Sequence, residues 1–254
     1  MKKRKAGIGI FVIVLIITAV RVKSMDSHRI SGRILAENIA GPGMMRLVEQ
    51  SMQAQAQKTS VTEIAVKEWK HPQAALTFDD GPDIRYTPLL LDGLKERNVR
   101  ASFFLLGEKV EQYPELVERM QKEGHLVGNH TYHHVQLNKL NETKAREEIL
   151  KTNNLIYETT GVYPLSLRPP FGAWKKNLEL CVEMLPVFWT IDTLDWKVKN
   201  TEKIVRTVKE QIEDGAIILM HDEYDTSVEA ALQVVDELKN QGYELVTVDQ
   251  LILP

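Results

Sequence analysis

Along most of the chain, short apolar runs alternate with longer segments that have the periodicity of amphipathic helices. The pattern becomes regular from about Val66 onward. The apolar or β-branched runs lie at Ala74–Phe78, Ala101–Gly107, His125–Asn129, Ser166–Pro170, Val187–Asp192, Ala216–Met220 and Tyr243–Val248. The helical segments lie at Thr87–Asn98, Glu111–Glu123, Glu142–Thr160, Lys175–Glu183, Thr201–Glu213 and Ser227–Asn240. Strands that alternate with helices in this way predict right-handed βαβ units and a parallel sheet, either open or closed into a barrel.

The first 65 residues follow a different pattern. Four consecutive basic residues, Lys2 to Lys5, precede an uncharged and mostly apolar run from Ala6 to Val20. A basic flank before an apolar stretch is typical of an export signal whose cationic end stays in the cytoplasm. Residues 1–23 are therefore predicted to be a retained signal-anchor that crosses the membrane as a helix, with a cleaved signal peptide as the alternative. Residues 24–65 are predicted to be a polar stalk, and residues 66–254 the folded domain.

Composition narrows the class of protein. Apolar residues make up 43% of the chain and charged residues 26%, which is typical of a globular domain with a sizeable core. The formal net charge of -3 provides no strongly basic surface, so nucleic acid is not an expected partner. The single cysteine, Cys181, excludes an internal disulfide and a cysteine-rich zinc site, and we interpret it as a core residue.

Polar residues cluster where the apolar runs end. Such residues are Asp79-Asp80, Asn129-His130, Arg168, Asp192 through Asp195, and His221. In parallel α/β folds, the loops at the C-terminal edge of the strands form the active site. Because packing does not require ionisable groups from five strands at one edge, this placement indicates an enzyme.

Two histidines four residues apart, His130 and His134, form part of a candidate metal site. On the first turn of a helix both imidazoles would reach one ion, although such a pair can also be an ordinary cap or surface pair. Asp79 and Asp80 are adjacent carboxylates at a strand end and require a positive group nearby. If the strand geometry persists, their side chains point in opposite directions, so that one can bind the metal while the other acts as a general base. Two histidines and one carboxylate form a common catalytic metal triad, which suits zinc best but also accepts cobalt, nickel, manganese or iron(II).

Further residues complete the candidate site. Arg168 can pair with the free aspartate and keep it ionised. A histidine paired with an aspartate holds its proton more tightly, which suits His221 and Asp195 to general acid catalysis. Trp196 adds an aromatic wall. Each residue taken singly has a structural interpretation (Trp196 as core, Arg168 as a surface ion pair, His221 as a buried hydrogen-bonded residue), but together they favour catalysis.

Five motifs in the sequence resemble those of the polysaccharide deacetylases with a NodB homology domain, carbohydrate esterase family 4. They are TFDDGP at Thr77–Pro82, HTYHH at His130–His134, RPPFG at Arg168–Gly172, DTLDW at Asp192–Trp196 and LMH at Leu219–His221. They occur in the family's order over about Ala74 to Leu251, and five motifs in order are far more specific than any one. The resemblance implies a distorted (β/α)7 barrel with its active site at the C-terminal rim of the strands.

The resemblance also implies a role for each matched residue. Asp79 would be the catalytic base and His221 the general acid, with Arg168 holding Asp79 and Asp195 tuning His221. Asp80, His130 and His134 would bind one divalent metal ion. Trp196 and Leu219 would line the pocket for the acetyl methyl group, and the backbone N–H of Phe171 would face the oxyanion.

On this resemblance, we predict metal-dependent removal of N-acetyl groups from a cell-envelope polysaccharide. The expected cofactor is Zn²⁺, with Co²⁺ or another divalent ion as the alternative. The predicted anchor favours a polymer next to the membrane, so the expected substrate is the N-acetylglucosamine of peptidoglycan, and the expected location of the domain is outside the cytoplasmic membrane. The alternatives are an O-acetyl polysaccharide such as acetylated xylan, a chitooligosaccharide, a non-catalytic carbohydrate-binding role, and a phosphoesterase, which usually needs ligands for two metals.

Overall fold

The structure, a computed structural model, describes residues 71–174 and 184–252, all within one unit, Lys67–Pro254. The predicted anchor at residues 1–23, the predicted stalk at 24–65 and the predicted helix Lys175–Glu183, which contains Cys181, lie outside the described residues. None of the described helices combines the length and the apolar character needed to cross a membrane.

A parallel sheet forms the centre of the domain. Its strands are β1 (Gln73–Asp79), β2 (Ser102–Leu105), β3 (Leu126–Asn129), β4 (Ser166–Leu167), β5 (Leu185–Pro186), β6 (Ile191–Asp192), β7 (Ala216–His221) and β8 (Glu244–Leu245). Hydrogen-bonded neighbours follow the order β5-β4-β3-β2-β1-β7-β6, with β8 also paired to β1, and every pair is parallel. Over residues 71–174 and 184–252, β5 and β6 do not pair with each other, so the sheet is a half-barrel.

The half-barrel confirms the predicted parallel α/β fold, and it shows the implied distorted (β/α)7 barrel in part. The sheet is not closed within the described ranges, and it contains one more strand than expected, β5. β4 and β5 are only two residues long because Pro169 and Pro170 follow β4 and Pro186 lies within β5. Proline has no N–H to donate to a strand ladder, so it ends or interrupts regular pairing.

Helices connect most of the strands. They are α1 (Thr87–Glu96), α2 (Gly107–Gln112), α3 (Pro114–Lys122), α4 (Glu142–Thr160), α5 (Asp195–Val198), α6 (Thr201–Gln211), α7 (Asp225–Asn240) and α8 (Val248–Ile252). The predicted bounds of α4 are confirmed, because the Asn141 side chain accepts the N–H of Lys144 at its start and Gly161 ends it at φ 72°. The single helix predicted at Glu111–Glu123 is instead split into α2 and α3 at Pro114, which begins α3.

The alternation of side chains along β1 directs Asp79 into the half-barrel. Ala74, Leu76 and Phe78 belong to the main core cluster, which also contains residues of α1 and α7. Ala75, on the other face, belongs to a separate cluster with Phe104 and Val187. Because successive side chains of a strand point to opposite faces, Asp79 shares the face of Ala75 at the C-terminal end of β1.

Candidate active site

The candidate residues meet at the C-terminal edge of the sheet. The register of β1 on β7 places Asp79 beside His221, and the pairing of β3 with β4 places Asn129 beside Leu167. His130 and Arg168 therefore follow neighbouring strand ends, and the Arg168 N–H donates to the carbonyl of Asn129 at 2.9 Å. The structure thus brings together residues that the sequence placed at the ends of separate strands.

Asp80, His130 and His134 present three ligand atoms to one point. Asp80 Oδ1 lies 3.4 Å from Nε2 of His130 and 3.4 Å from Nε2 of His134. The three ligand atoms all lie within 4.8 Å of one another. Asp80 Oδ1 is buried and makes no hydrogen bond with any residue in the ranges 71–174 and 184–252, although burying an unpaired carboxylate oxygen is costly. A divalent cation between these atoms would remove that cost, so the donor set fits a metal.

Backbone contacts hold His130 in the form that a metal ligand requires. Its Nδ1 lies 2.6 Å from the carbonyl oxygen of Arg168, which fixes the proton on Nδ1 and leaves the lone pair of Nε2 toward Asp80. Burial lowers the pKa of His130 to about 3. The imidazole is therefore neutral at any ordinary pH.

The geometry of this trio differs from the one expected. Residues 130–134 form a loop, not the first turn of a helix, and the strand geometry ends at Asp79. Asp80, Thr131 and His134 have left-handed φ angles of 69°, 66° and 54°. These three turns bring the ligand atoms together. The predicted grouping of Asp80, His130 and His134 is therefore found, but helical spacing and strand alternation do not produce it.

Asp79 and Arg168 form a buried ion pair beside the trio. Arg168 Nη1 donates to Asp79 Oδ1 at 2.8 Å and to Thr77 Oγ1 at 2.7 Å. The guanidinium carbon lies 4.2 Å from the centroid of the Phe104 ring, which packs against its face. Burial raises the pKa of Asp79, and the Arg168 guanidinium opposes that rise. Arg168 is fully buried, so its interpretation as a surface ion pair is wrong.

His221 and Asp195 form a second tuned pair. His221 Nδ1 lies 2.8 Å from Asp195 Oδ1, and the His221 backbone N–H donates to Asp195 Oδ2 at 2.8 Å. Burial acts to lower the pKa of His221, but the hydrogen bond and charge of Asp195 outweigh it and raise the pKa to about 9. His221 Nε2 lies 3.9 Å from Asp80 Oδ2, so the ring reaches from Asp195 toward the trio.

A cleft of about 490 Å³ opens above these groups. It is lined by Asp80, His134, Phe171, Trp189, Asp192, Trp196, Leu219, His221, Glu223 and Tyr224. Trp196 is 47% exposed, so its interpretation as a core residue is wrong, whereas Leu219 is buried at the base. The Phe171 ring lies 4.5 Å from the His134 ring, and Phe171 has a φ of 59°. The cleft therefore has aromatic walls and an ionisable floor.

Sequence reasoning missed several residues of this region. Trp189, Glu223 and Tyr224 line the cleft, and Asp222 is fully buried behind it. Glu223 pairs with Lys109 at the cleft edge. The available signal was position, because Asp222, Glu223 and Tyr224 directly follow His221 at a strand end.

Gly81 is required by the close approach of Asp222. A Cβ atom at Gly81 would lie 2.5 Å from Asp222 Oδ1, while Thr87 Oγ1 donates to the other carboxylate oxygen and prevents Asp222 from moving away. We expect Gly81→Ala to lower the free energy of unfolding by about 1–3 kcal/mol through overpacking, measured by denaturant unfolding of the full-length chain. The cost should shrink when Gly81→Ala is made in an Asp222→Ala background. An equal cost in both backgrounds would contradict the steric explanation.

Comparisons with known proteins agree with this geometry. The profile of the family described as polysaccharide deacetylase matches residues 67–187. Peptidoglycan-N-acetylglucosamine deacetylase PgdA of Listeria monocytogenes is 44% identical over 177 residues, which cover 70% of this chain and 38% of PgdA. A peptidoglycan-N-acetylglucosamine deacetylase of Bacillus cereus is 40% identical over 186 residues, which cover 70% of this chain and 68% of the relative.

A solved structure extends the comparison to three dimensions. The structure of peptidoglycan deacetylase PdaC from Bacillus subtilis matches with a TM-score of 0.70 and 42% identity, covering 72% of this chain and 90% of that one. The chain belongs to the polysaccharide deacetylase family. The match spans only 38% of the length of PgdA. The comparison alone therefore does not assign the activity of the whole PgdA protein to this chain.

Proposed function

We propose that the chain hydrolyses the N-acetyl group of N-acetylglucosamine residues in peptidoglycan and releases acetate. One observation carries this proposal, namely that the three ligand atoms of Asp80, His130 and His134 lie between a buried carboxylate, Asp79, and a cationic imidazole, His221. The relatives named as peptidoglycan deacetylases support the choice of polymer. The aromatic walls of the cleft also suit a sugar, because apolar sugar faces stack on aromatic rings.

We propose that Asp80, His130 and His134 bind one divalent ion, with Zn²⁺ as the best match for two imidazole nitrogens and one carboxylate oxygen. The neutral imidazole of His130 and the unpaired Oδ1 of Asp80 are the two observations that favour a cation at this point. When bound, such an ion supplies Lewis-acid polarisation of the acetyl carbonyl and acidifies water.

In the proposed reaction, the protein provides a base on one side of the amide and an acid on the other. Asp79, oriented by Arg168, accepts a proton from the attacking water, and burial gives it the raised pKa that suits a base. His221, kept protonated by Asp195, donates a proton to the departing sugar amine. The backbone N–H of Phe171 faces the developing oxyanion, and Leu219 and Trp196 enclose the acetyl methyl group. Water is consumed, the C–N bond breaks, and acetate and a free amine are formed.

We also propose that the domain acts outside the cytoplasmic membrane, tethered by residues 1–23. The basic residues before the apolar run at Ala6–Val20 support this orientation. A C-terminally tagged full-length chain should fractionate with membranes and be digested by protease added to spheroplasts. Recovery of an intact tagged chain from the cytoplasmic fraction would contradict the proposal.

Acetate release from the purified full-length chain tests the function directly. Peptidoglycan and an N-acetylglucosamine oligomer should be assayed in parallel, each with chelator and with Zn²⁺ or Co²⁺ restored. We expect release from peptidoglycan that chelator abolishes and added metal restores. Release from an O-acetylated substrate alone would replace the proposal with an esterase, and no release from a folded, metal-loaded chain would contradict catalysis altogether.

A further inference from the structure

A single carboxylate on α4 holds the loop that carries the two histidine ligands. Glu148 Oε2 accepts the backbone N–H of Tyr132 at 3.0 Å and that of His133 at 2.9 Å. Glu148 Oε1 lies 2.8 Å from Nδ1 of His133. Three contacts therefore connect Glu148 to the two residues just before His134. Glu148 has no contact with the proposed reacting groups in these interactions, and its role lies in the loop.

The loop has a conformation that needs such support. Thr131 and His134 both have left-handed φ angles, 66° and 54°, which are uncommon for residues other than glycine and worst for a β-branched one. The Thr131 N–H donates to Asn129 Oδ1 at 2.7 Å, which fixes the start of the loop. Two N–H groups of α2 hold the loop carbonyls, with Gly107 donating to Thr131 at 3.0 Å and Glu108 to Tyr132 at 3.3 Å. Glu148 holds the loop N–H groups from the other side, so His134 is delivered to Asp80 by a loop bonded on both sides.

Other contacts leave Glu148 as the main link from the loop backbone to α4. The Tyr132 side chain bonds to Glu111 and lies under the ammonium of Lys151, 3.4 Å from the ring centroid. These contacts hold a side chain, whereas Glu148 holds two backbone N–H groups that precede His134. The Glu148 side chain is only 16% exposed, so solvent competes weakly for these bonds.

We infer that Glu148 is a positioning residue for the metal centre, which sets metal affinity by holding the 131–134 loop in the conformation that aims His134 at Asp80. The inference rests on the proposed function, since it concerns the ion proposed for Asp80, His130 and His134. Outer groups that orient metal ligands commonly change metal affinity by about 10- to 100-fold when they are replaced. Glu148 belongs to none of the five motifs and lies in the middle of α4.

The test compares Glu148→Ala with Glu147→Ala in the full-length chain, because a glutamine at position 148 would keep an oxygen that can accept both N–H groups. Both substitutions remove one negative charge from α4, but Glu147 is exposed and lies outside the loop contacts. We would measure the dissociation constant for Zn²⁺ by competition with a chromophoric chelator, together with the melting temperature of the metal-free proteins. We expect Glu148→Ala to weaken Zn²⁺ binding about tenfold or more, and Glu147→Ala to leave it unchanged. Saturating Zn²⁺ should restore kcat in Glu148→Ala, because Glu148 does not act on substrate.

The outcomes separate the two proposals. Equal Zn²⁺ affinity of the wild type and Glu148→Ala would overturn this inference and leave the proposed function intact. A wild-type chain that binds no Zn²⁺ would overturn the proposed function and this inference with it. If circular dichroism shows Glu148→Ala to be unfolded, Glu148→Asp carries the test, because its carboxylate keeps the charge but is one methylene group too short to reach the N–H groups of Tyr132 and His133 in the same position. Unchanged Zn²⁺ affinity in Glu148→Asp would then overturn the inference, and weaker affinity would support it.

Discussion

Asp79→Asn is expected to lower kcat for acetate release by about 10³-fold while leaving Zn²⁺ affinity close to that of the wild type. The amide is nearly isosteric with the carboxylate but cannot accept the proton of the attacking water. Asp79 is not one of the three residues, Asp80, His130 and His134, that offer ligand atoms, so the metal site keeps its donors. The measurement is initial acetate release at saturating metal, with metal content determined on the same samples.

The same substitution should also destabilise the domain, and the assay must separate the two effects. Removing one partner of a buried ion pair leaves the fully buried Arg168 without its counter-charge, which costs about 3–5 kcal/mol in known cases. Activity is therefore to be measured at a temperature where circular dichroism shows Asp79→Asn to be folded. Asp83→Asn is the matched control, because its amide oxygen can still accept the N–H groups of Arg85 and Tyr86. A folded Asp79→Asn chain with more than about a tenth of wild-type kcat would contradict the role of base.

The location of the site was predictable from sequence because strand ends are predictable. Asp79, Arg168 and His221 each follow an apolar run, and parallel strands deliver their C-terminal ends to one edge. The sequence therefore predicted which residues would meet without any knowledge of the loop conformations. The structure supplies the contacts, such as the bond from Arg168 to Asp79, that the sequence could only propose.

The local geometry was not predictable in the same way. The trio depends on left-handed turns at Asp80, Thr131 and His134. None of these residues is a glycine, so the sequence gives only a weak signal for such turns. Helical spacing gave a plausible but wrong route to the same proximity of His130 and His134. The half-barrel likewise depends on which strand edges pair, and proline-limited pairs such as β4 with β5 are too short to show in hydrophobic periodicity.

The cleft walls were predictable only in part, because a wall is assembled from residues that no single motif contains. Trp196 and Leu219 lie within motifs, whereas Trp189 falls inside a run predicted to be strand and Tyr224 follows a motif by three positions. Glu148 is the extreme case, since its role depends on the packing of α4 against a distant loop. Sequence patterns thus identify groups with chemical function better than the groups that position them.

Asp195→Asn is expected to shift the alkaline limb of the pH–rate profile to lower pH by at least about one unit. It should also lower kcat near neutral pH by about 10²-fold. The pKa of His221 is raised to about 9, so the imidazole is protonated below that value and general acid catalysis is lost as the pH rises through it. An asparagine at position 195 can still accept a hydrogen bond, but it has no negative charge to stabilise the protonated imidazole. Burial then lowers the pKa of His221 with less opposition. A cation bound at Asp80 would lower the pKa of His221 in both the wild type and Asp195→Asn. The difference in His221 pKa between the two proteins would remain.

The measurement is kcat and kcat/KM for acetate release from about pH 5 to pH 10, at saturating metal, for the wild type and Asp195→Asn. Asp192→Asn is the matched control, because Asp192 lines the same cleft and its carboxylate accepts the N–H of Leu194 without contacting His221 in these bonds. That control should keep the wild-type alkaline limb even if its KM changes. An alkaline limb in Asp195→Asn that coincides with that of the wild type would mean that His221 is not the acid, since the group that titrates would then be one that Asp195 does not influence.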